Sequence, residues 1–428
     1  MDYKIFSKNN TLKIFLIFLI LLSYYRSPFI FTNGRFFSLD FVYHMIFIDL
    51  SFFDSLTYID FNARYINFIS NISSLLSSRL LELEYAQYVS VYLSFSVYLI
   101  IFYLILFKNS YLFTKDYQKF LGALIVLVSP VMNFEIWLNV INLQVYLGIL
   151  TLVILFLKDE NKNVLFYFIL IFVSGLSGIY ACIFMPLFFL KFINKRNNFN
   201  LICFLTIFSC ALLQLFIIYN SLKFLSLGEK NMALTLVFNT YEIISYVYNV
   251  IIRSFFASSL PVYLAGFLEI DLYAVFNNEN LKNILFSFSL LMIVALISFF
   301  IFCAISIKDI KEKISYLTLL VLFFTISVVT VIGGVSDTLH GRYSALTGII
   351  LIFSFLHLSR VSSIFFIKKL SIILIFLTIT FGIFDFRHKK YIEYLDCIDC
   401  PNWSDEVKKY KLDNNYRIKV WPYHNGRN

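Results

Sequence analysis

Residues 164–190, VLFYFILIFVSGLSGIYACIFMPLFFL, are apolar over a length sufficient for one membrane crossing, but residues 174–178 (SGLSG) and Pro186 interrupt the run. A helix needs about 20 consecutive apolar residues to cross a bilayer. The stretch is therefore either one crossing or a broken hairpin, and the two interpretations give opposite orientations to everything that follows. The charges of the flanking loops have to decide between them.

The composition places the chain among multi-pass membrane proteins. Hydrophobic residues make up 60% of the 428 residues and charged residues only 14%, which excludes soluble multidomain and disordered proteins. The apolar residues form many blocks, so a soluble domain with one anchor is excluded as well. We predict an all-α, polytopic transmembrane helix bundle with further spans at 12–24, 86–107, 120–133, 143–157, 201–219, 283–306, 315–332, 345–359 and 370–385.

Loop charge favours the hairpin. The net charge of +9 comes mostly from short Lys and Arg clusters between apolar blocks, without the basic face of a nucleic-acid-binding protein, so no nucleic-acid partner is expected. With a cytoplasmic N-terminus, the hairpin puts five basic clusters inside, as the positive-inside rule demands. These clusters lie at 108–119, 158–162, 191–196, 308–313 and 360–369. We predict nine spans plus the hairpin, or eleven passages if both limbs cross the cell (inner) membrane.

This topology leaves three large segments on the outer side of the membrane, two of them loops of the transmembrane domain of residues 1–385 and the third the tail that follows it. They are residues 25–84, residues 220–282 and the C-terminal tail, residues 386–428. The tail is too short to form a core of its own. Any chemistry therefore faces outward, where no nucleotide pool exists, so a transferase would need a donor carried by the membrane.

The first outer segment, residues 25–84, mixes charged side chains with aromatic and aliphatic ones at near-helical spacing. Such segments form helices that lie along the membrane surface with the apolar face down. Asp40 and His44 are four residues apart and would share a face of such a helix, which offers a carboxylate and a hydrogen-bond partner at the bilayer boundary. For any single acid in this segment, a place on a solvated acidic face is the more common role.

Two outer turns carry further candidates. Arg342 lies in a short Gly-rich turn, GGVSDTLHGRYS, where it would bring a bidentate donor to headgroup depth or would simply anchor the interface. Residues 135–142 form a tight turn between two spans that are short for a bilayer. In this turn Trp137 would stack on a sugar in an acceptor site, or would be an aromatic-belt residue of a polar turn.

Short motifs accompany this order of elements. They are Arg26-Ser27-Pro28, Gly34-Arg35-Phe36-Phe37 with Asp40, Leu176-Ser177-Gly178, Gly341-Arg342-Tyr343, Cys400-Pro401-Asn402-Trp403 and Val420-Trp421-Pro422. Together with a first span, an acidic outer loop, many spans with short cytoplasmic turns and an outward tail, they resemble the GT-C class of integral-membrane glycosyltransferases of bacterial surface-polysaccharide synthesis. The resemblance implies transfer of a sugar from a polyprenyl-phosphate-linked donor to a glycan or lipid-linked acceptor on the outer face. In that family the first outer loop supplies the catalytic acid, and Asp40 matches this position best.

The chemistry of such a transfer needs one carboxylate and one cation. A base takes the proton of the acceptor hydroxyl as it attacks the anomeric carbon, and a cation stabilises the leaving phosphate. An inverting transfer therefore does without the paired carboxylates of a glycosidase. We assign the base to Asp40, with Asp49 and Asp54 as reserves. The donor phosphate is assigned to Arg342, Arg253 and Arg35, and the acceptor sugar to Glu135, Trp137, Asn139, Asn142, His44 and His340.

Two other functional classes stay open. A polysaccharide polymerase or ligase would be expected to use several outer-loop arginines rather than a carboxylate of the first loop. A transporter of lipid-linked glycans would be expected to show internal repeats and charged residues within the spans, whereas these spans carry almost no charge and no repeat is evident. The His residues and scattered acids have no fixed ligand spacing, so we predict no obligatory metal and no cofactor.

Overall fold

A computed structural model of the chain describes residues 2–60, 64–129, 136–158, 163–228, 279–333, 344–387, 402–413 and 416–421. Over these ranges the chain forms helices joined by turns, with isolated β-bridges and no strand. The all-α prediction is therefore confirmed for this part of the chain.

A long first helix is followed by short helices and then by a series of longer ones. The first group is α1 (Asp2–Arg26), α2 (Pro28–Asn33), α3 (Ser38–Asp49), α4 (Phe52–Leu56), α5 (Phe68–Leu80) and α6 (Leu83–Phe107). The second group is α7 (Asp116–Val128), α8 (Gln144–Leu155), α9 (Val164–Leu176), α10 (Ile179–Cys182), α11 (Met185–Asn194) and α12 (Asn198–Gly228). The last described helices are α13 (Glu279–Ile305), α14 (Ile310–Gly333), α15 (Ala345–Val361), α16 (Phe365–Asp385) and α17 (Trp403–Leu412).

Several of these helices are long and apolar enough to cross a membrane. Within the described ranges there are 5, namely α6, Asn198–Ser221 of α12, Phe286–Ile305 of α13, Ile310–Thr330 of α14, and α16. The bent pair of α9 with α10 and α11 raises the number to 6 if it counts as one span. Several described helices could thus span a membrane, which is consistent with the multi-pass prediction, but fewer of them are full-length than the nine spans that the sequence predicts.

Four predicted spans, which lie in α1, α7, α8 and α15, are not among these helices, and α7 and α8 are too short to cross a bilayer upright. The 12 residues of α8 extend about 18 Å at 1.5 Å per residue, against a hydrocarbon core of about 30 Å. Nearly all of α8 and residues 345–358 of α15 are buried within the protein. Helices surrounded by protein need not match the bilayer thickness, so their apolarity reflects the core of the bundle rather than contact with lipid.

The 164–190 stretch folds back on itself. The chain direction changes by 119° between α9 and the α10–α11 limb, at Ser177 and Gly178. In α11, Lys191 Nζ donates to the carbonyls of Leu155 and Leu157 at 2.9 Å each, shortly before the chain enters α9. The second limb therefore returns to the end of the bundle from which the first limb starts, as the hairpin interpretation requires.

The tail and the first outer segment lie at the same end of the molecule. In α17, Trp403 Nε1 donates to the carbonyl of Leu83 at 3.0 Å, at the start of α6. Beyond the other end of α6, Lys195 Nζ donates to the hydroxyl of Tyr111 at 3.2 Å. The fold therefore separates the tail from the basic residues that follow the hairpin.

This separation predicts the outcome of labelling from one side of the membrane. Cysteines introduced at Asp54 and Lys408, in a variant without native cysteines, should both react with a membrane-impermeant thiol reagent on intact cells. A cysteine at Lys195 should react only after permeabilisation, because the hairpin returns this residue to the opposite end. All three side chains are exposed. Reaction of Lys195→Cys from outside would indicate a single crossing and overturn the hairpin topology.

The bend itself predicts a strong requirement for glycine. Gly178 has a φ of +140°, and a Cβ there would lie 2.5 Å from Oε1 of Gln144. Gly178→Ala should therefore cost about 1–3 kcal/mol of stability through backbone strain, measured as a lower thermal unfolding temperature in detergent. Gly148→Ala is the matched control, because its Cβ would first meet the flexible end of Leu346 at 2.8 Å. Equal losses in both variants would contradict the requirement for a left-handed backbone.

Candidate active site

Asp40 lies in the first turn of α3 and its side chain points into the protein, with 2% of its surface exposed. Ser90 Oγ on α6 donates to Asp40 Oδ2 at 2.5 Å, and the backbone N–H of Ile141 donates to Oδ1 at 3.2 Å. Ser90 Oγ also accepts a hydrogen bond from the backbone N–H of Val140 at 3.2 Å. One carboxylate therefore joins α3, α6 and the turn before α8.

Burial raises the pKa of Asp40 to about 6, because the charged form loses its hydration. The hydrogen bonds from Ser90 and from the amides of Val140 and Ile141 act in the opposite direction and limit the rise. A carboxyl group with this pKa is largely ionised at neutral pH and is a stronger base than an ordinary aspartate. Asp40 is therefore suited to accept a proton near neutral pH.

His44 shares the inner face of α3 with Asp40, as the four-residue spacing predicts, and only 3% of it is exposed. Its Nδ1 lies 2.9 Å from Oγ of Ser77 on α5, and its ring lies 5.0 Å from that of Phe36. Burial lowers the pKa of His44 to about 4, so the imidazole is neutral at physiological pH. Asp40 and His44 thus each pair with a serine of a neighbouring helix rather than with each other.

The side chains of the turn before α8 are buried against neighbouring helices or bonded within the turn. Trp137 is 2% exposed, with the guanidinium carbon of Arg26 lying 4.4 Å from its ring centroid and the ring of Tyr98 at 5.0 Å. Asn139 Oδ1 accepts a hydrogen bond from the backbone N–H of Asn142 at 3.0 Å, which fits the interpretation of this segment as a polar turn. Stacking of a sugar on Trp137 would require displacement of Arg26 or Tyr98.

One residue of this turn is strained. Leu138 has a φ of +51°, in the left-handed region that a branched side chain seldom occupies. It lies two and three residues before Val140 and Ile141, whose amides bind Ser90 and Asp40. Strain of this kind persists where the surrounding structure holds it, and it concentrates at functional sites.

The other predicted site residues are exposed, have partners other than Asp40, or lie outside the described ranges. Asp49 is exposed at the last residue of α3, and Asp54 is exposed in the first turn of α4, where Ser51 Oγ donates to its Oδ2 at 2.6 Å. Arg35 is 3% exposed and its Nη1 donates to the carbonyl of Lys419 in the tail at 2.8 Å. The predicted residues outside the described ranges are Glu135, Arg253, His340 and Arg342.

The structure adds residues that the sequence analysis did not single out. Ser90 belongs to a buried polar row on α6 with Gln87 and Ser94, at spacings of three and four residues in an otherwise apolar helix. Polar side chains on one face of an apolar helix generally face the bundle interior, so the spacing of this row could have predicted from the sequence that Ser90 faces the interior. One turn beyond Asp40, Tyr43 OH donates to Oδ2 of Asp60 at 2.9 Å.

Neither a metal-ligand cluster among the described residues nor similarity to a known protein assigns a function to this site. In the part of the chain that the structure describes, no three His, Cys, Asp or Glu side chains converge as metal ligands. Comparison with protein-family models, curated proteins and solved structures finds no match to this chain. The geometry and electrostatics around Asp40 are therefore the basis for assigning a function.

The opposite pKa shifts of Asp40 and His44 affect stability in opposite directions. Because the pKa of Asp40 is raised from 3.8 to about 6, the folded protein keeps a proton that the unfolded chain releases, and this contribution to stability falls as pH rises through that window. Because the pKa of His44 is lowered from 6.5 to about 4, the unfolded chain takes up the proton, and this contribution rises with pH. Each shift corresponds to about 3 kcal/mol, so the two nearly cancel.

Single substitutions should remove this compensation. Asp40→Asn should become more stable as pH rises from about 4 to about 6.5, because only the His44 contribution remains. His44→Gln should become less stable over the same interval. Thermal unfolding in detergent at a series of pH values would measure both slopes against the wild type. Parallel profiles in the three proteins would contradict the buried, oppositely shifted pair.

Proposed function

We propose that the protein is a membrane glycosyltransferase in which Asp40 is the general base. The proposed reaction moves a sugar from a polyprenyl-phosphate-linked donor to a glycan or lipid-linked acceptor at the outer face of the membrane. The observation that carries the proposal is the buried Asp40 carboxyl group, whose pKa of about 6 is suited to proton transfer at neutral pH.

The environment of Asp40 supports the role of a base rather than of an acid. At neutral pH the carboxylate is mostly ionised, and the hydrogen bonds from Ser90 Oγ and from the N–H of Ile141 hold one oxygen each in a fixed direction. His44 on the same face is neutral, so it does not neutralise the carboxylate by forming an ion pair. A held, unpaired carboxylate is what an attacking hydroxyl group needs at the moment when it loses its proton.

The acceptor has to reach a carboxylate that is closed off in this conformation. Asp40 is 2% exposed, and the turn before α8 covers it through the amide of Ile141. The strained Leu138 lies in this turn, so its relaxation would favour a movement that exposes Oδ1. We therefore propose that acceptor binding displaces this turn, as loops commonly do when they gate a catalytic site.

The donor phosphate needs a cation at the same end of the bundle. Arg342, in its Gly-rich turn directly before α15, remains our proposed ligand, and its bidentate fork suits a phosphate. Arg35 is a weaker proposal, because its guanidinium already donates to the carbonyl of Lys419. In this reaction the phosphate leaves with the bonding electrons of the anomeric C–O bond, and Asp40 holds the acceptor proton.

Replacing Asp40 by Asn should lower transfer by about a hundredfold or more, since the amide keeps the size of the side chain but cannot take a proton. The measurement is the sugar composition of surface glycan from cells whose chromosomal copy carries the variant, compared with wild-type and deletion cells. Glu82→Gln is the matched control, because Glu82 is an exposed carboxylate of the same outer segment and should tolerate the change. Wild-type glycan from Asp40→Asn at normal protein level would refute the proposal.

A further inference from the structure

The helix that carries Asp40 begins without a side-chain cap of its own. Its N-cap residue is Phe37, whose side chain has no acceptor for the first free N–H groups of the helix. The N–H of Ser38 instead donates to the carbonyl of Trp421 at 2.6 Å, and the N–H of Trp421 donates to the carbonyl of Phe36 at 2.9 Å. A backbone carbonyl from the tail therefore caps α3, two residues before Asp40.

The position of this carbonyl is fixed by a buried carboxylate in α17. Glu406 has no exposed surface, and it accepts hydrogen bonds from the hydroxyl of Tyr416 at 2.8 Å and from the N–H of Lys419 at 3.0 Å. The carbonyl of the same Lys419 accepts a hydrogen bond from Arg35 Nη1 at 2.8 Å. The backbone two residues before Trp421 is thus held from the tail on one side and from the start of the outer segment on the other.

An apolar contact joins the same parts. Phe36 is 2% exposed, and its ring lies 5.8 Å from that of Trp403 in α17 and 5.0 Å from that of His44. Trp403 in turn donates from Nε1 to the carbonyl of Leu83 at the start of α6, the helix that supplies Ser90. The tail therefore contacts both helices whose side chains meet at the Asp40 carboxylate.

We infer that the tail is a positioning element of the Asp40 site and that Glu406 is its central positioning residue. Glu406 fixes the Lys419 backbone, the following backbone presents the Trp421 carbonyl to Ser38, and the capped first turn of α3 presents Asp40 to Ser90 and Ile141. The inference rests on the proposed function for its catalytic meaning, while the positioning can be measured without a substrate. No side chain of the tail is required to touch the reacting groups.

The test follows the protonation of Asp40 in the full-length protein. The carbonyl stretch of the protonated carboxyl group is recorded by infrared spectroscopy as a function of pH and is assigned by its loss in Asp40→Asn. In the wild type the midpoint should lie at about 6. In Glu406→Met, whose side chain has a similar length but no oxygen to accept from the N–H of Lys419, the midpoint should fall by about one unit or more as water reaches the carboxyl group. Trp403→Phe, which keeps a ring against Phe36, should shift it in the same direction by less.

Lys411→Met is the matched control. Lys411 belongs to the same helix as Glu406 but forms an exposed ion pair with Glu84 at 2.7 Å, a type of contact that contributes little. The titration midpoint of Asp40 in Lys411→Met should equal that in the wild type. Unchanged midpoints in both Glu406→Met and Trp403→Phe, with wild-type thermal unfolding, would overturn the inference, and the tail would then only cover this end of the molecule. Shifted midpoints together with full transfer by Asp40→Asn would preserve the positioning role and refute only the proposed function.

Discussion

The burial of one carboxylate, that of Asp40, is the constraint on which the described end of the molecule around α3 and the tail depends. Removing an ionised carboxylate from water costs several kcal/mol unless hydrogen bonds replace its hydration. Ser90 and the amide of Ile141 provide two such bonds, one from a long helix and one from a turn. Their geometry holds only if the first turn of α3 stays in place, and the carbonyl of Trp421 caps that turn. The tail, the outer segment and the bundle are therefore linked through one ionisable group.

The same physical demand governs the non-helical backbone within the bundle. Away from water, every backbone N–H and carbonyl needs a partner, and an extended segment cannot supply its own. Gln214 on α12 meets this demand for Ile66, because its amide accepts from the N–H at 3.1 Å and donates to the carbonyl at 3.1 Å. It also donates to the carbonyl of Gly175 near the bend of the hairpin at 3.2 Å. A single polar side chain in an apolar helix thus fastens the outer segment to the hairpin.

These arrangements connect stability with the proposed chemistry. A base that is held by a serine and by a backbone amide is pre-organised, and its raised pKa follows from the burial that closes it off. In the proposed reaction, access to the carboxylate depends on the turn that contains the strained Leu138, while the Trp421 carbonyl caps the first turn of α3. The proposed site would therefore combine one element that releases the carboxylate with another that holds its helix in place.

The sequence by itself determined the helical architecture, the apolar helices that could span a membrane, and the helix on which Asp40 and His44 share a face. Those features follow from the composition and from spacings of three or four residues, because residues at these spacings lie on one face of a helix. Loop charge also predicted that 164–190 turns back, since the orientation of short loops follows their basic residues. Only the tertiary structure decided what Asp40 touches, why Arg35 faces the tail and where the tail docks. The partners in these contacts are separated by 50, 101 and 384 residues, and local periodicity holds no information about packing over such distances.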